Sequence, residues 1–389
     1  MTTPVKRILQ IFWSLLLLGV IIFFAYVPAF VDRQFNILLD MKAPVLPDSV
    51  RAFHSSLRAA DMHNDILLWG RDLTEQHDYG HTDLPRLRAG NVRLQVFSAV
   101  TKTPSGINYQ SNSDETDQIT LLMIAERAPV KAWYSLTERA LYQADRLKET
   151  AAAFPGQLTV ISDRKSLTAF LNDSSPGKIA GLLAIEGMHA LDGRLENLEV
   201  LDKAGYRMIG LAHFFDNAFS GSAHGVKKYG LTELGKQAFH EMEKRHILID
   251  LAHASPRAIE DALELATRPL VVSHTGVRTT CNSPRNLSDD QLRRIAATGG
   301  LIGIGFWEGA VCDSDVESVV DAMMHAVEIA GIDHVALGSD WDGATQEELS
   351  ADRLPWLTAA LLNRGMSKDD VRKIMGENLI RLLLATLPE

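Results

Sequence analysis

His63 and Asp65 stand two residues apart in Asp61-Met62-His63-Asn64-Asp65. On a β-strand that spacing turns both side chains to one face. An imidazole beside a carboxylate is a donor set for Zn²⁺ or a similar divalent cation. Taken alone, the pair reads more simply as a hydrogen-bonded polar couple. Three more residues of ligand type follow apolar runs: Glu186 after Leu182-Leu183-Ala184-Ile185, His253 after Asp250-Leu251-Ala252, and His274 after Val271-Val272-Ser273. A carboxylate just past a buried strand is costly unless it is paired or bound to metal. A salt bridge is the plain alternative for Glu186, and a satisfied core position for either histidine.

The elements that would carry these residues come from hydropathy. From residue 61 onward, short apolar runs alternate with amphipathic segments. Eight strands are expected, at Ala60–Asp65, Arg93–Ala99, Gly181–Ile185, Arg207–Ala212, Ile247–Leu251, Leu270–Ser273, Leu301–Ile304 and Val335–Gly338. Helices are expected at Thr116–Ala153 (interrupted at Pro129), Leu195–Ala204, Thr232–Arg245, Pro256–Ala266, Ser288–Ala297 and Val316–Ala330. Two more follow the last strand, at Leu354–Asn363 and Lys368–Leu384, and Thr159–Ser162 is an extra strand without a place. Alternating strands and helices imply a parallel sheet, and eight such units imply an α/β (β/α)₈ TIM-like barrel. No glycine-rich fingerprint follows the first strand, which weakens a Rossmann reading.

Functional groups of such barrels sit at the C-terminal strand ends. The expected strands end at His63 and Asp65, Glu186, His213, His253, His274 and Asp340, which is six of the eight. Scattered surface histidines would not fall there so regularly. Five donors (His63, Asp65, Glu186, His253, His274) are too many for one catalytic zinc. They suit two ions sharing a carboxylate, which would activate a water between them.

Asp61–Asp65, Ala184-Ile185-Glu186-Gly187, Ile249–His253, Val272-Ser273-His274, Arg285–Asp290 and Gly338-Ser339-Asp340-Trp341-Asp342-Gly343 resemble, in order and spacing, the successive motifs of renal-type (membrane) dipeptidases. The resemblance spans roughly residues 55 to 385. It implies a binuclear zinc barrel that cleaves dipeptides. It implies one ion on His63 and Asp65, the other on His253 and His274, and Glu186 between them. His213 would contact substrate near the scissile carbonyl, Arg285 would grip the terminal carboxylate, and Asp340 would be the acid–base group. The chemistry agrees: a guanidinium fork suits a carboxylate, and an imidazole N–H can face a developing oxyanion. Without the family match, Arg285 reads as a surface salt bridge and Asp340 as a turn-capping aspartate. Asp342 competes with Asp340, which ranks first because it directly follows the strand. The stretch Phe214–Gly225 departs from the mammalian pattern, leaving side-chain preference open, and His224 within it reads as a solvent-facing loop histidine or, as the alternative, an extra polar contact. Homodimers are common in the family, so a homodimer is a further implication.

The N-terminus carries an independent signal. No charge occurs between Arg7 and Asp32, and ~24 helical residues rise about 36 Å, enough to cross a ~30 Å hydrocarbon core. Lys6 and Arg7 precede the run, which keeps the N-terminus cytoplasmic and exports the rest. The alternative is a signal peptide cleaved near Val27-Pro28-Ala29. The expected plan is an anchor over 1–31, a tether with a short helix over 32–54, and a barrel domain over 55–389. Mammalian family members carry a C-terminal lipid anchor and more disulfides; Leu383–Glu389 has no lipid-anchor tail. This fits a bacterial inner-membrane protein with its barrel in the periplasm. Cys281 and Cys312 form no CxxC pair, and an oxidising compartment would permit their bond.

The 389 residues carry a net charge of −10, which speaks against nucleic acid as a partner. With 46% hydrophobic residues, the chain can bury a large core. The function that the resemblance implies is a zinc dipeptidase acting on dipeptides. The alternatives are a related binuclear hydrolase of N-acyl amino acids, lactones or other amides, and a membrane-tethered binding protein on the same scaffold.

Overall fold

The strands are short runs of Val, Ile, Leu and Ala that are buried along their length, the pattern of a parallel sheet covered on both faces. The computed structural model describes residues 3–173 and 175–389. Among these residues the barrel strands are β1 (Ala59–Asn64), β2 (Val92–Ala99), β3 (Ile179–Ile185), β4 (Tyr206–Gly210), β5 (Leu248–Asp250), β6 (Val271–Thr275), β7 (Leu301–Ile304) and β8 (Val335–Leu337). All neighbours are parallel, and β8 returns to β1 at Leu337↔Asp61, closing the barrel. Helices cross over between most strands, among them Leu136–Ala153, Glu233–Lys244, Pro256–Leu265 and Val316–Ala330. The fold is the expected TIM-like barrel.

Strand alternation sorts the core into two layers. Ala60, Met62, Leu94, Val96, Leu182 and Leu248 fill the barrel interior. Phe97, Leu183, Ile185 and Ile209 point outward to the helices. The C-terminal helix Asn378–Thr386 adds Leu379, Leu382 and Leu383 to the inner layer and so seals the N-terminal end of the barrel. The expected unbroken helix Lys368–Leu384 bends instead at Gly376, where a Cβ would stand 2.1 Å from the Arg58 carbonyl oxygen. The expected interruption of Thr116–Ala153 at Pro129 is present and wider than one residue: the segment forms the helices Ile119–Ala125 and Leu136–Ala153.

The unplaced strand candidate has a place. Leu158–Ile161 runs parallel to the first half of β3, from Leu158↔Ile179 to Ile161↔Leu182. β4 pairs with β3 only from Leu183 onward. The extra strand fills the gap where β3 and β4 splay apart, a feature that no local pattern in its four residues encodes.

An N-terminal helix spans Thr3–Phe35, and from Pro4 it is long and apolar enough to cross a membrane. Its last turns do not stand free. Residues 23, 24, 27, 28, 31 and 32 are at least partly covered, a helical spacing that turns one face to the barrel. Asp32 is buried and pairs with Arg71 Nε at 2.7 Å, and Arg71 Nη2 meets Asp342 Oδ1 at 2.7 Å. The Ala344 N–H donates to Asn36 Oδ1 at 2.9 Å, and Ile37–Leu38 pairs in parallel with Gln346–Glu347. The stretch expected as a tether is thus stitched at its start to the loop after β8, and its short helix is Asp48–Ser55. Cys281 and Cys312 are joined in a disulfide, with Cα atoms 5.4 Å apart.

Removing one partner of a buried ion pair strands the other charges without water. Arg71→Ala leaves Asp32 and Asp342 facing each other. The expected loss is about 3–5 kcal/mol, read as a lowered midpoint in thermal or denaturant unfolding of the full chain.

Candidate metal centre

His63, Asp65, Glu186, His213, His253, His274, Arg285 and Asp340 lie at the C-terminal mouth of the barrel, and each is buried. His63 closes β1, with Asp65 just beyond it. Glu186 follows β3, His213 follows β4, His253 follows β5, His274 lies in β6, and Asp340 follows β8. Glu186 is the hub. Its Oε1 stands 2.9 Å from His253 Nε2, 3.4 Å from His274 Nε2 and 3.7 Å from His63 Nε2. Its Oε2 stands 3.2 Å from His213 Nε2. His63 Nε2 also faces Asp65 Oδ1 at 3.3 Å and Asp340 Oδ1 at 3.7 Å. Two imidazole nitrogens, His253 Nε2 and His274 Nε2, are only 3.0 Å apart.

The electrostatics of this space suit a cation. Burial, followed by Asp65 as a like charge, pushes Glu186 well above the ordinary carboxylate range. Burial, followed by Asp342, does the same to Asp65. Burial also pushes Asp340 up to about 8, against the opposing pull of His63. The same burial holds His213, His253 and His274 well below the ordinary imidazole value, so they stay neutral with a free lone pair. Several of these atoms, among them both ring nitrogens of His63, Asp65 Oδ1 and Glu186 Oε2, are buried without a hydrogen-bond partner. Unpartnered buried donors and acceptors are expensive, and a divalent ion inverts that balance. His63, Asp65 and Glu186 form one mutually close triad that could hold metal, Glu186, His213 and His253 a second, and His63, His274 and Asp340 a third. Distance alone therefore groups His274 with His63, whereas a two-ion partition pairs it with His253; Glu186 Oε1 lies near all three rings.

Two copies of one device orient this cluster. Asp61 on β1 accepts from Ser339 N at 2.8 Å and from Ser339 Oγ at 2.9 Å, next to Asp340. Asp250 on β5 accepts from Ser273 N at 2.8 Å and from Ser273 Oγ at 2.5 Å, next to His274. A carboxylate can only accept, so the Ser273 hydrogen is committed to Asp250. Ser273 Oγ, 2.9 Å from His274 Nδ1, must then accept from it, which leaves His274 Nε2 bare toward the centre. Asp61, Asp250, Ser273 and Ser339 are not among the residues that sequence alone marks as functional. Their signal is there, an Asp two or three residues before one histidine and a Ser directly before the next strand's functional residue, but only pairing of the strands gives it meaning.

The backbone is shaped here too. His253 and Asp340 have φ of 60° and 67°, in the left-handed region, at a cost of ~1–3 kcal/mol each that the surrounding bonds must offset. Gly187 has φ of +104°, and a Cβ there would meet His189 Nδ1 at 2.6 Å, so the turn after Glu186 requires glycine.

For three residues the surroundings narrow alternatives that the sequence leaves open. Arg285 is no surface ion pair: it is buried, donates to the His274 carbonyl at 2.6 Å and lies 5.5 Å over the Trp307 ring. His224 is not solvent-facing: it is fully buried, stacks on Phe214 and places Nδ1 3.0 Å from the Tyr109 carbonyl. The loop holding it folds back over the mouth, with Ser222 N and the N–H groups of Lys227 and Lys228 gathered on Asp216, a long-range closure invisible in the local sequence. Asp342, the rival of Asp340, spends its carboxylate on Arg71 and on the His81 and Thr82 N–H groups, while Asp340 faces His63.

A sequence profile of the membrane dipeptidase family (peptidase family M19) matches residues 48–386. The chain belongs to the membrane dipeptidase family. It is 28% identical over 346 residues to an uncharacterized dipeptidase of Schizosaccharomyces pombe, covering 84% of this chain and 80% of that protein. It is also 28% identical over 358 residues to the dipeptidase tcpJ of Claviceps purpurea, covering 84% and 76%. Among solved structures, a metallopeptidase of Rhodobacter sphaeroides liganded with a phosphinate mimic of the dipeptide L-Ala-D-Ala superposes with TM-score 0.69 at 25% identity, covering 85% of this chain and 99% of that one. The dipeptidase AC of the same peptidase family gives TM-score 0.70 at 25% identity, covering 86% and 100%.

For this dipeptidase family member, Asp250→Asn reverses one relay. The amide donates to Ser273, whose hydroxyl then donates to His274 Nδ1 and moves the ring proton to Nε2. Metal affinity is expected to fall ~10–100-fold with the fold retained, measured by competitive zinc titration beside circular dichroism.

Proposed function

We propose that this member of the membrane dipeptidase family hydrolyses dipeptides with two zinc ions held by His63, Asp65, Glu186, His253 and His274. The observation that carries the reading is Glu186, a buried carboxylate with the Nε2 atoms of His63, His213, His253 and His274 within 3.7 Å. Neutral imidazoles and carboxylates are zinc donors, and their unpartnered atoms fit bound cations. Bound there, such ions would lower the pKa of water and polarise a scissile carbonyl. In the two-ion reading His63 and Asp65 would hold one ion, His253 and His274 the other, and Glu186 would be shared.

The remaining residues supply binding and proton transfer. Arg285 is buried, its Nε has no hydrogen-bond partner among the described residues, and its fork suits the free carboxylate one residue beyond the scissile bond. His213, beside Glu186, would donate to the oxygen that gains charge. Asp340 faces the same centre through His63. A buried carboxylate at that point can take a proton from the attacking water and return it to the leaving amine.

We further propose that the N-terminal helix is an uncleaved membrane anchor, with the barrel outside the cytoplasm at a bacterial inner membrane. Lys6 and Arg7 before the apolar run support that orientation. The Cys281–Cys312 bond supports an oxidising compartment.

Two variants test the assignments. Asp340→Asn is expected to keep both metals while turnover of a dipeptide panel that includes L-Ala-D-Ala falls by about 10²–10⁴; near-normal kcat would refute the acid–base role. Glu186→Ala is expected to lose zinc, and two tightly held ions in that variant, measured by elemental analysis, would refute the shared-ligand role.

A further inference from the structure

A cavity of about 290 Å³ opens beside the centre, with Asp65 and His213 on its inner side. Its sides are largely apolar and include Leu68, Trp69, Leu122 and Phe214. Its outer wall comes from an unexpected source: Val31 and Phe35, in the last turns of the N-terminal helix. We propose that Val31 and Phe35 complete the subsite for the side chain of the dipeptide's N-terminal residue, and that this side chain is large and apolar. The inference rests on the dipeptidase reading above.

Direction follows from where Arg285 lies. Arg285 sits against the His274 carbonyl and the Trp307 ring and does not line the cavity. A dipeptide with its carboxylate on Arg285 and its scissile carbonyl at Glu186 and His213 must extend its N-terminal residue the other way, past Asp65 and His213. That path leads into the cavity. The volume accommodates one large side chain rather than a longer peptide, since whole small-molecule sites run to ~300–1,000 Å³.

The helix end is held where a wall is needed. Asp32, one residue from Val31, is buried on Arg71. Asn36, next to Phe35, accepts from the Ala344 N–H at 2.9 Å, and Ala344 itself lines the cavity. Ile37 N donates to the Thr345 carbonyl at 3.0 Å. Val31 and Phe35 lie four apart and so share a helix face. Phe35 keeps 46% of its surface exposed, as a residue at the rim of an open subsite would.

The test uses the full-length chain in lipid nanodiscs, loaded with zinc, with Leu-Ala and Gly-Ala as paired substrates. Wild-type kcat/KM is expected to favour Leu-Ala at least tenfold, the scale of a filled apolar pocket. Val31→Ala with Phe35→Ala should lower that ratio at least fivefold, mainly through KM for Leu-Ala. Val31→Phe, which fills the cavity, should invert the preference. Zinc content and melting temperature read each variant's integrity, and a general folding defect would depress both substrates alike and leave the ratio in place. No preference in the wild type, or a ratio unmoved by these variants, overturns the subsite while the dipeptidase reading stands. No turnover of either dipeptide by wild type overturns the dipeptidase reading and the subsite with it.

Discussion

A single desolvated carboxylate sets the terms for this molecule. Glu186 lies at the mouth of the barrel with four imidazole nitrogens around it and the carboxylates of Asp65 and Asp340 close by. Such a crowd is unfavourable in a low-dielectric space unless positive charge joins it. Burial drives the carboxylates toward their neutral forms and the imidazoles toward theirs. The donor set is therefore primed for cations by the absence of water rather than by any strong internal pairing.

The surrounding barrel keeps that arrangement from relaxing. Asp61 with Ser339 and Asp250 with Ser273 clip neighbouring strands at the points where functional residues leave the sheet. The first clip joins the first strand to the chain just after the last, and the second joins the consecutive strands β5 and β6, so orientation of the mouth depends on strand pairing and on closure of the barrel. The left-handed backbone at His253 and Asp340 stores strain that those bonds offset. The disulfide from Cys281 to Cys312 ties the loop that carries Arg285 to the segment after β7.

The N-terminal helix belongs to this mouth as much as to any membrane. Its end is fixed through Asp32, Arg71 and Asp342 to the turn that presents Asp340, and through Ile37–Leu38 to the strand just beyond. The apolar run is longer than one bilayer crossing needs, and its last turns lie against the domain. Placement of the barrel at the helix end and the shape of the cleft thus share the same contacts.

Much of this was legible in the chain. Strand alternation and amphipathic helices determined the barrel, because burial on both faces leaves near-continuous apolar runs at regular intervals. Residue type at strand ends marked His63, Asp65, Glu186, His213, His253, His274 and Asp340, since a polar side chain after an apolar run needs a reason. Tertiary structure alone decided what is not periodic. It placed Leu158–Ile161 in the splay between β3 and β4, buried His224 and Arg285, set Asp342 apart from Asp340, and brought Val31 and Phe35 to the cleft. Each depends on atoms more than twenty residues apart meeting at hydrogen-bond or van der Waals distance, and one-dimensional order carries no record of such meetings until the barrel closes.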